Sequence, residues 1–178
     1  MQLATKRLLI RPWRSPDLAP FAEINADPSV RRYYHPPTLS RPESDEVVAE
    51  CMRHLAEHAF SFLAVERRSD GALLGGCGLS HTDIPPGGPH IEIGWMIGRE
   101  HWRNGYAREA GLAWLEHAWS IGLSEVVGYT STINVPSRAT MESVGLIRDP
   151  ADDFEDRTVP ADDPLRPHVL YRGRSPVA

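Results

Sequence analysis

The chain has 178 residues, with 24 acidic and 19 basic side chains and a formal net charge of −5. That length suits a single domain burying roughly 70% of its unfolded surface. The negative balance argues against a nucleic-acid or anionic-membrane binder held by counterion release, and a cationic partner such as an amine fits it better.

Met1 to Lys6 leads into a strand without the apolar core of a secretory signal, and no window approaches the roughly 18 apolar residues of a membrane span, so a cytoplasmic protein is expected. Arg7 to Trp13 reads as the first strand, stopped by Pro12 and Pro16. Ser15 is placed to cap a helix running to about Ala26, which Asp27-Pro28 ends. Ser29 to Tyr34 suggests another helical turn, and Pro36, Pro37 and Pro42 mark an irregular connection.

From Glu43 to His58 the residues Val47, Val48, Cys51, Leu55 and Ala59 give one apolar helical face. Cys51, His54 and His58 share roughly one side of that helix, but no fourth ligand follows at a usual spacing, so no metal is expected. Cys51 and Cys77 share no redox or zinc spacing and are expected as reduced thiols. Phe60 to Glu66 and Leu73 to Leu79 alternate around Asp70-Gly71 as a hairpin. Gly75, Gly76 and Gly78 lie inside its second strand, which points to a bulge or close backbone packing rather than a nucleotide loop.

Asp83 to His90, rich in proline and glycine, leads into Ile91 to Ile97, read as a central strand. Ala107, Ala110, Gly111, Trp114, Leu115 and Ala118 then recur at i, i+3, i+4, i+7, i+8 and i+11, the face of a helix ending near Gly122. The joint between strand and helix, Trp102 to Arg108, has no acidic residue and carries two arginines, Arg103 and Arg108. The first turn of a helix offers unpaired N–H groups at a partly positive end, so this joint suits a diphosphate. It lacks the Gly-Lys-Ser/Thr of a P-loop and the three spaced glycines of a dinucleotide fingerprint. Beyond it, Glu125 to Thr132 reads as a strand and Asn134 to Gly145 as a short helix closed by glycine. An acidic loop over Asp152 to Asp163 and a last strand over His168 to Arg172 follow, and Arg174 to Ala178 is expected to fray.

Glu92-Ile-Gly-Trp95 followed by Trp102-Arg103-Asn104-Gly105-Tyr106-Ala107-Arg108-Glu109-Ala110 resembles the GNAT N-acetyltransferase superfamily, specifically the branch of ribosomal-protein N-terminal (alanine/serine) acetyltransferases. The likeness extends to Lys6 to Trp13 and to the Asn134, Ser137, Glu142 and Gly145 run. Two positions depart from the pattern: Trp102 stands where the wider superfamily opens the loop with Gln or Arg, and Arg103 where this branch often has glycine. The resemblance implies one α/β (α+β) domain over residues 1–178, with a mixed, mostly antiparallel sheet of about six or seven strands flanked by about four helices. Strands four and five, those of Glu92 to Ile97 and Glu125 to Ser131, would splay apart to admit the pantetheine arm of acetyl-CoA. Met96 and Ile97 would hold that arm, the backbone of Arg103, Asn104, Gly105, Tyr106, Ala107 and Arg108 would hold the diphosphate, and Asn134 and Ser137 would complete the cradle.

An alkyl amine at pH 7 is mostly protonated and attacks a thioester only when neutral, so a base is required. Glu92 occupies the family's usual acid position and is the candidate base; its structural alternative is an ion-paired strand residue. Ser137 is the first choice to stabilise the leaving thiolate, with Tyr106 and Tyr129 as other hydroxyls and helix capping as its own alternative role. His81, His90 and His101 are less favoured bases, and Trp95 and Trp102 either line the acceptor pocket or pack the core. The activity implied is acetyl transfer from acetyl-CoA to a primary amine, a protein N-terminus or a small molecule, in a ternary complex. The alternatives are a non-catalytic acyl-CoA sensor and a transferase of longer acyl groups. A monomer or homodimer is expected, with neither nucleic acid nor membrane as a partner.

Overall fold

The strands of the first half of the chain pair with their neighbours in strand order, through short turns except between the second and third, where two helices intervene. In the computed structural model, which describes residues 1–176, β1 (Leu3–Ala4), β2 (Leu8–Arg11), β3 (Phe62–Arg67), β4 (Leu73–Thr82) and β5 (His90–Ile97) form a continuous antiparallel run. β6 (Glu125–Ser131) then lies parallel to β5. β7 (Ile147–Arg148) and β8 (Phe154–Glu155) both pair with β9 (Pro167–Arg174), which itself pairs antiparallel with β6. Among the described residues the sheet has nine strands, more than the six or seven expected. The surplus is β1, β7 and β8, each only two residues long and too short to leave a period in the sequence.

Among the described residues four helices, α1 (Leu18–Ala26), α2 (Arg41–His58), α3 (Tyr106–Ser120) and α4 (Val135–Ser143), cover the sheet. Alternation along the strands divides the core in two. Leu63 and Val65 of β3 face a cluster built with Ala110, Trp114 and Ala118 of α3 and Met141 of α4. Ala64, between them, faces a second cluster containing Trp13, Phe21 and Ile24 near α1 and Val48 of α2. Trp114 is fully buried and donates its indole N–H to the Cys77 carbonyl at 2.9 Å, so a large ring enters the core with its polar atom satisfied. The close packing expected at the β4 glycines is present: Gly75 has φ +140°, a Cβ there would lie 2.0 Å from the Met96 carbonyl oxygen, and the register shifts opposite it between Val65 and Glu66.

Three local expectations change. Ser15 does not open an α-helix; residues 15–17 form a 3-10 turn, and α1 begins at Leu18. Asp17 takes the organising role, accepting the Arg14 N–H at 2.7 Å while a buried Arg11 guanidinium grips its carboxylate through both terminal nitrogens. Ser29 to Tyr34 forms successive turns with bonds such as Tyr34 N–H to the Arg31 carbonyl, not a helix. Arg174 belongs to β9, in register with Glu125, so the expected fray does not begin there; residues 177–178 lie outside the described residues.

Candidate active site

β5 and β6 touch through a single register pair, Glu92 with Val127, after which the two parallel strands diverge. A cavity of about 830 Å³ occupies the gap and reaches from the N-terminus of α3 to the segment before β9. Of the residues expected to hold a cofactor, Met96, Ile97, Arg103, Gly105, Tyr106, Ala107, Arg108, Asn134 and Ser137 all line it, as does Glu92. Asn104 does not. Its side-chain amide donates to the carbonyls of His101 and Trp102, and its own carbonyl accepts from Arg7, so it shapes the loop from behind.

That loop depends on two left-handed residues. Gly105, at φ +75°, precedes the first residue of α3, and Arg103 adopts φ +61° where glycine is the easier choice. Arg103 therefore preserves the loop's shape at a backbone cost of about 1–2 kcal/mol. The first intrahelical bond of α3 runs from Glu109 N–H to the Gly105 carbonyl, so the N–H groups of Tyr106, Ala107 and Arg108 precede the helical ladder at the cavity wall. Glu109, the acidic residue of the first turn, is drawn away from that lip. Its carboxylate accepts from the Thr5 hydroxyl and from the backbone N–H and side chain of Arg7. The Arg7 guanidinium also lies 4.7 Å from the Tyr106 ring centroid. This clamp joins residues about a hundred positions apart, and nothing in the local sequence announces it.

Glu92 sits on β5 where the strands part. Burial pushes its carboxyl up to about 7, against a smaller opposing effect of hydrogen bonding with Tyr129. It has no salt-bridge partner among the described residues, which removes the ion-paired alternative. The Tyr129 hydroxyl lies 3.2 Å from the Thr82 hydroxyl, and its pKa is pushed well above the ordinary phenol value by burial first and by Glu92 next, so it keeps its proton. Tyr129 is thus a proton-bearing neighbour of a carboxyl poised near neutrality.

Across the cavity, Asn134 accepts the Ser137 N–H at 3.3 Å through Oδ1 and donates to the Thr130 hydroxyl at 2.8 Å. Asn134, not Ser137, therefore caps α4, leaving the Ser137 hydroxyl at the cavity wall without a hydrogen bond among the described residues. The Tyr106 hydroxyl interacts with Arg67 of β3 and so faces the hairpin. Trp95 and Trp102 both line the cavity; Trp102 donates its indole N–H to the Ile97 carbonyl at 2.7 Å, which occupies one acceptor at the strand's end. His101 borders the cavity, whereas His81 and His90 do not.

The sequence points to the Pro36 and Asp152 loops as candidate acidic walls of an acceptor pocket without singling out the residues of the far wall. Asp156 and His168, both buried, line the cavity with Asp156 Oδ2 3.7 Å from His168 Nε2. His35 Nδ1 approaches Asp163 Oδ2 at 3.9 Å, linking the loop after α1 to the segment before β9. The acidic content of residues 152–163 was the available signal, but which carboxylate turns inward depends on the packing of β8 on β9.

The model of the acetyltransferase (GNAT) domain matches residues 7–147. The chain belongs to the GNAT acetyltransferase family. An uncharacterized N-acetyltransferase of Bacillus subtilis (strain 168), YnaD, is 26% identical to this GNAT chain over 152 residues, covering 84% of each. A GNAT-family acetyltransferase structure from Bacillus anthracis superposes with a TM-score of 0.82 at 23% identity, covering 98% of both chains. The ribosomal L7/L12 α-N-protein acetyltransferase RimL, solved with coenzyme A, superposes with a TM-score of 0.79 at 12% identity over the whole of both chains. At those identities the structures establish a shared GNAT fold. GNAT enzymes use acetyl-CoA as cosubstrate. The residues fit that molecule: unladdered N–H groups at the start of α3, an acidic side chain pulled off the lip, and a strand gap at the cavity's centre.

Proposed function

We propose that this GNAT protein transfers the acetyl group of acetyl-CoA to the primary amine of a small cationic molecule by direct attack within a ternary complex. The observation that carries the reading is Glu92, held near neutrality in a cavity whose opposite wall bears the buried carboxylate of Asp156. The N–H groups of Tyr106 to Arg108 would hold the diphosphate, with the Arg103 and Arg108 side chains beside it, and the diverging edge of β5 would receive the pantetheine arm. Acetyl-CoA supplies the activated acyl carbon.

Glu92, as carboxylate, takes the proton from the ammonium group, directly or through one water, and frees the nitrogen lone pair. The nitrogen adds to the thioester carbonyl carbon; as the carbon–sulfur bond breaks, the thiolate is stabilised by the Ser137 hydroxyl and takes up the surplus proton that the adduct's nitrogen releases, leaving a neutral amide and free thiol. Holding amine and thioester together supplies much of the acceleration, about 7–11 kcal/mol in ideal models. The His35–Asp163 approach narrows the acceptor side between two loops, which favours a compact acceptor over a peptide.

Amine-dependent thiol release from acetyl-CoA tests the assignment across small diamines, monoamines and peptides with free N-termini. Diamines are expected to turn over best, and Asp156→Asn to raise their KM about tenfold with little change in kcat. Turnover confined to peptides would refute the small-acceptor reading, and acetyl-CoA binding without turnover on any amine would make the protein a sensor.

A further inference from the structure

The helix carrying His54 and His58 was expected to be metal-free, for want of a further ligand in sequence. The fold supplies one from 23 residues beyond His58: β4 brings His81 against the C-terminal turn of α2. One ligand nitrogen from each of His54, His58 and His81 lies within 4.8 Å of the other two. The ring centroids are 4.5 Å apart for His54 and His58, 5.2 Å for His54 and His81, and 4.3 Å for His58 and His81. Cys51 is not a member of this group; its thiol interacts with Ser61, and the residue packs against the cluster beneath α1 and α2.

We propose that His54, His58 and His81 form a transition-metal site that takes Zn²⁺ or a similar divalent ion, with a fourth position open to water. Histidines at i and i+4 project from one side of a helix and present two nitrogens to one ion. The third comes from a different element, so the ligands surround a point instead of lying along a line. His54 is already oriented. Its Nδ1 lies 2.8 Å from the Phe60 carbonyl oxygen, which can only accept, so Nδ1 carries the proton and Nε2 keeps its lone pair. A backbone carbonyl that fixes the tautomer of a ligand imidazole is a characteristic outer-shell contact of metal sites. That Nε2 faces His81: it lies 3.0 Å from His81 Nδ1 and accepts the His81 backbone N–H at 3.3 Å, a long bond that an incoming ion would replace.

The distances suit an ion after a small closure. Zn–N bonds of 2.0–2.1 Å in a tetrahedron put ligand nitrogens about 3.3 Å apart. The His54–His81 pair is within a few tenths of an ångström of that separation. The His58 side chain, 39% exposed at the helix end, has room to swing through the remainder. Imidazole nitrogens without a converging set of carboxylates select Zn²⁺, Ni²⁺, Co²⁺ or Cu²⁺ over Mg²⁺ and Ca²⁺. Exposure of His58 and His81 leaves the outer side to solvent, where a water completes the coordination.

Such an ion would join α2 to β4 one residue before Thr82, the partner of Tyr129. It would brace the acceptor side of the cavity from outside while leaving the acetyl-CoA side untouched.

The test uses the full chain without a histidine tag, stripped with a chelator and dialysed. Zn²⁺ is titrated by calorimetry and Co²⁺ by its visible absorption. One ion per chain, micromolar affinity and a rise in Tm with bound Zn²⁺ are expected. His58→Ala and His81→Ala should each weaken binding at least about tenfold while keeping the metal-free Tm and acetyl-CoA binding; His117→Gln, at a histidine outside the cluster, should change nothing. Absence of saturable one-to-one binding, or binding that survives in both variants, overturns the proposal. An equal loss in His117→Gln overturns it too. Because the readouts are metal affinity and spectrum, the outcome is separable from any result on acetyl transfer.

Discussion

Replacing Glu92 by Gln tests the chemistry most directly, because it keeps the side chain's shape and removes its proton exchange. With the carboxyl raised to about 7 by burial, about half of the wild-type molecules carry the carboxylate at that pH. The kcat/KM for amine acetylation should therefore climb about tenfold per pH unit below 7 and level off above it, until amine ionisation intervenes. Glu92→Gln should lower the plateau by about 10²–10⁴-fold and abolish the inflection near 7. A second effect comes from linkage. A carboxyl whose folded pKa lies above its unfolded value of 4.5 favours folding in its protonated form. That contribution is fully present below about 4.5 and is lost as pH rises through about 7, leaving the ionised group as a liability of at most about 3 kcal/mol above pH 7. Glu92→Gln should accordingly be more stable than wild type at pH 8 and close to it at pH 4.5. The assays are thiol release from acetyl-CoA between pH 5.5 and 9 and urea unfolding at the two pH values. A variant that keeps the wild-type inflection near 7 would show that another group is the base, and equal stability of the two proteins at pH 8 would show that Glu92 is not held in a desolvated site.

Ser137→Ala should reduce kcat about ten- to a hundredfold and leave the affinity for acetyl-CoA, measured by calorimetry, within about twofold, because its N–H bond to Asn134 survives. Arg103→Gly should raise unfolding stability by about 1 kcal/mol through relief of the left-handed backbone, read from the urea midpoint, with a modest loss of acetyl-CoA affinity from the missing guanidinium. Hydrogen bonds from Thr5 and Arg7 outweigh burial in holding Glu109 below the usual carboxylate range. The clamp's contribution is therefore present above about pH 4.5 and lost as pH falls through the depressed value. Glu109→Gln should flatten that acid-side loss, measured as Tm against pH between 6 and 3.

The long elements were legible because their apolar residues repeat. The 3.6-residue period from Ala107 to Ala118 locates α3, and alternation around Asp70-Gly71 locates the β3–β4 hairpin. Most expected cavity residues were legible for a related reason: they lie on one continuous strand, loop and helix, where spacing along the chain and position in space coincide. Asn104 belongs to the same loop without lining the cavity, because the motif records that a residue occupies the loop, not which way its side chain points. The Arg7–Glu109 clamp, the inward turn of Asp156 and the approach of His81 to His54 and His58 were not legible. Each joins segments whose proximity exists only after the sheet has formed. The capping of α4 was ambiguous between Asn134 and Ser137 until the hydrogen-bond direction distinguished them.

The single register pair between β5 and β6 also makes this sheet two sheets in series, β1 to β5 from one half of the chain and β6 to β9 from the other. The seam falls between them in sequence as well as in space, and the turn at Gly122, with φ +85° and open space around it, lies between α3 and β6. A chain cut there would give one fragment with Glu92 and the loop before α3, and another with Tyr129, Asn134 and Ser137. Neither would hold a complete cavity. Recovery of acetyl transfer on mixing the fragments would then report how well two independently paired sheets dock, making the enzyme a natural template for a split reporter.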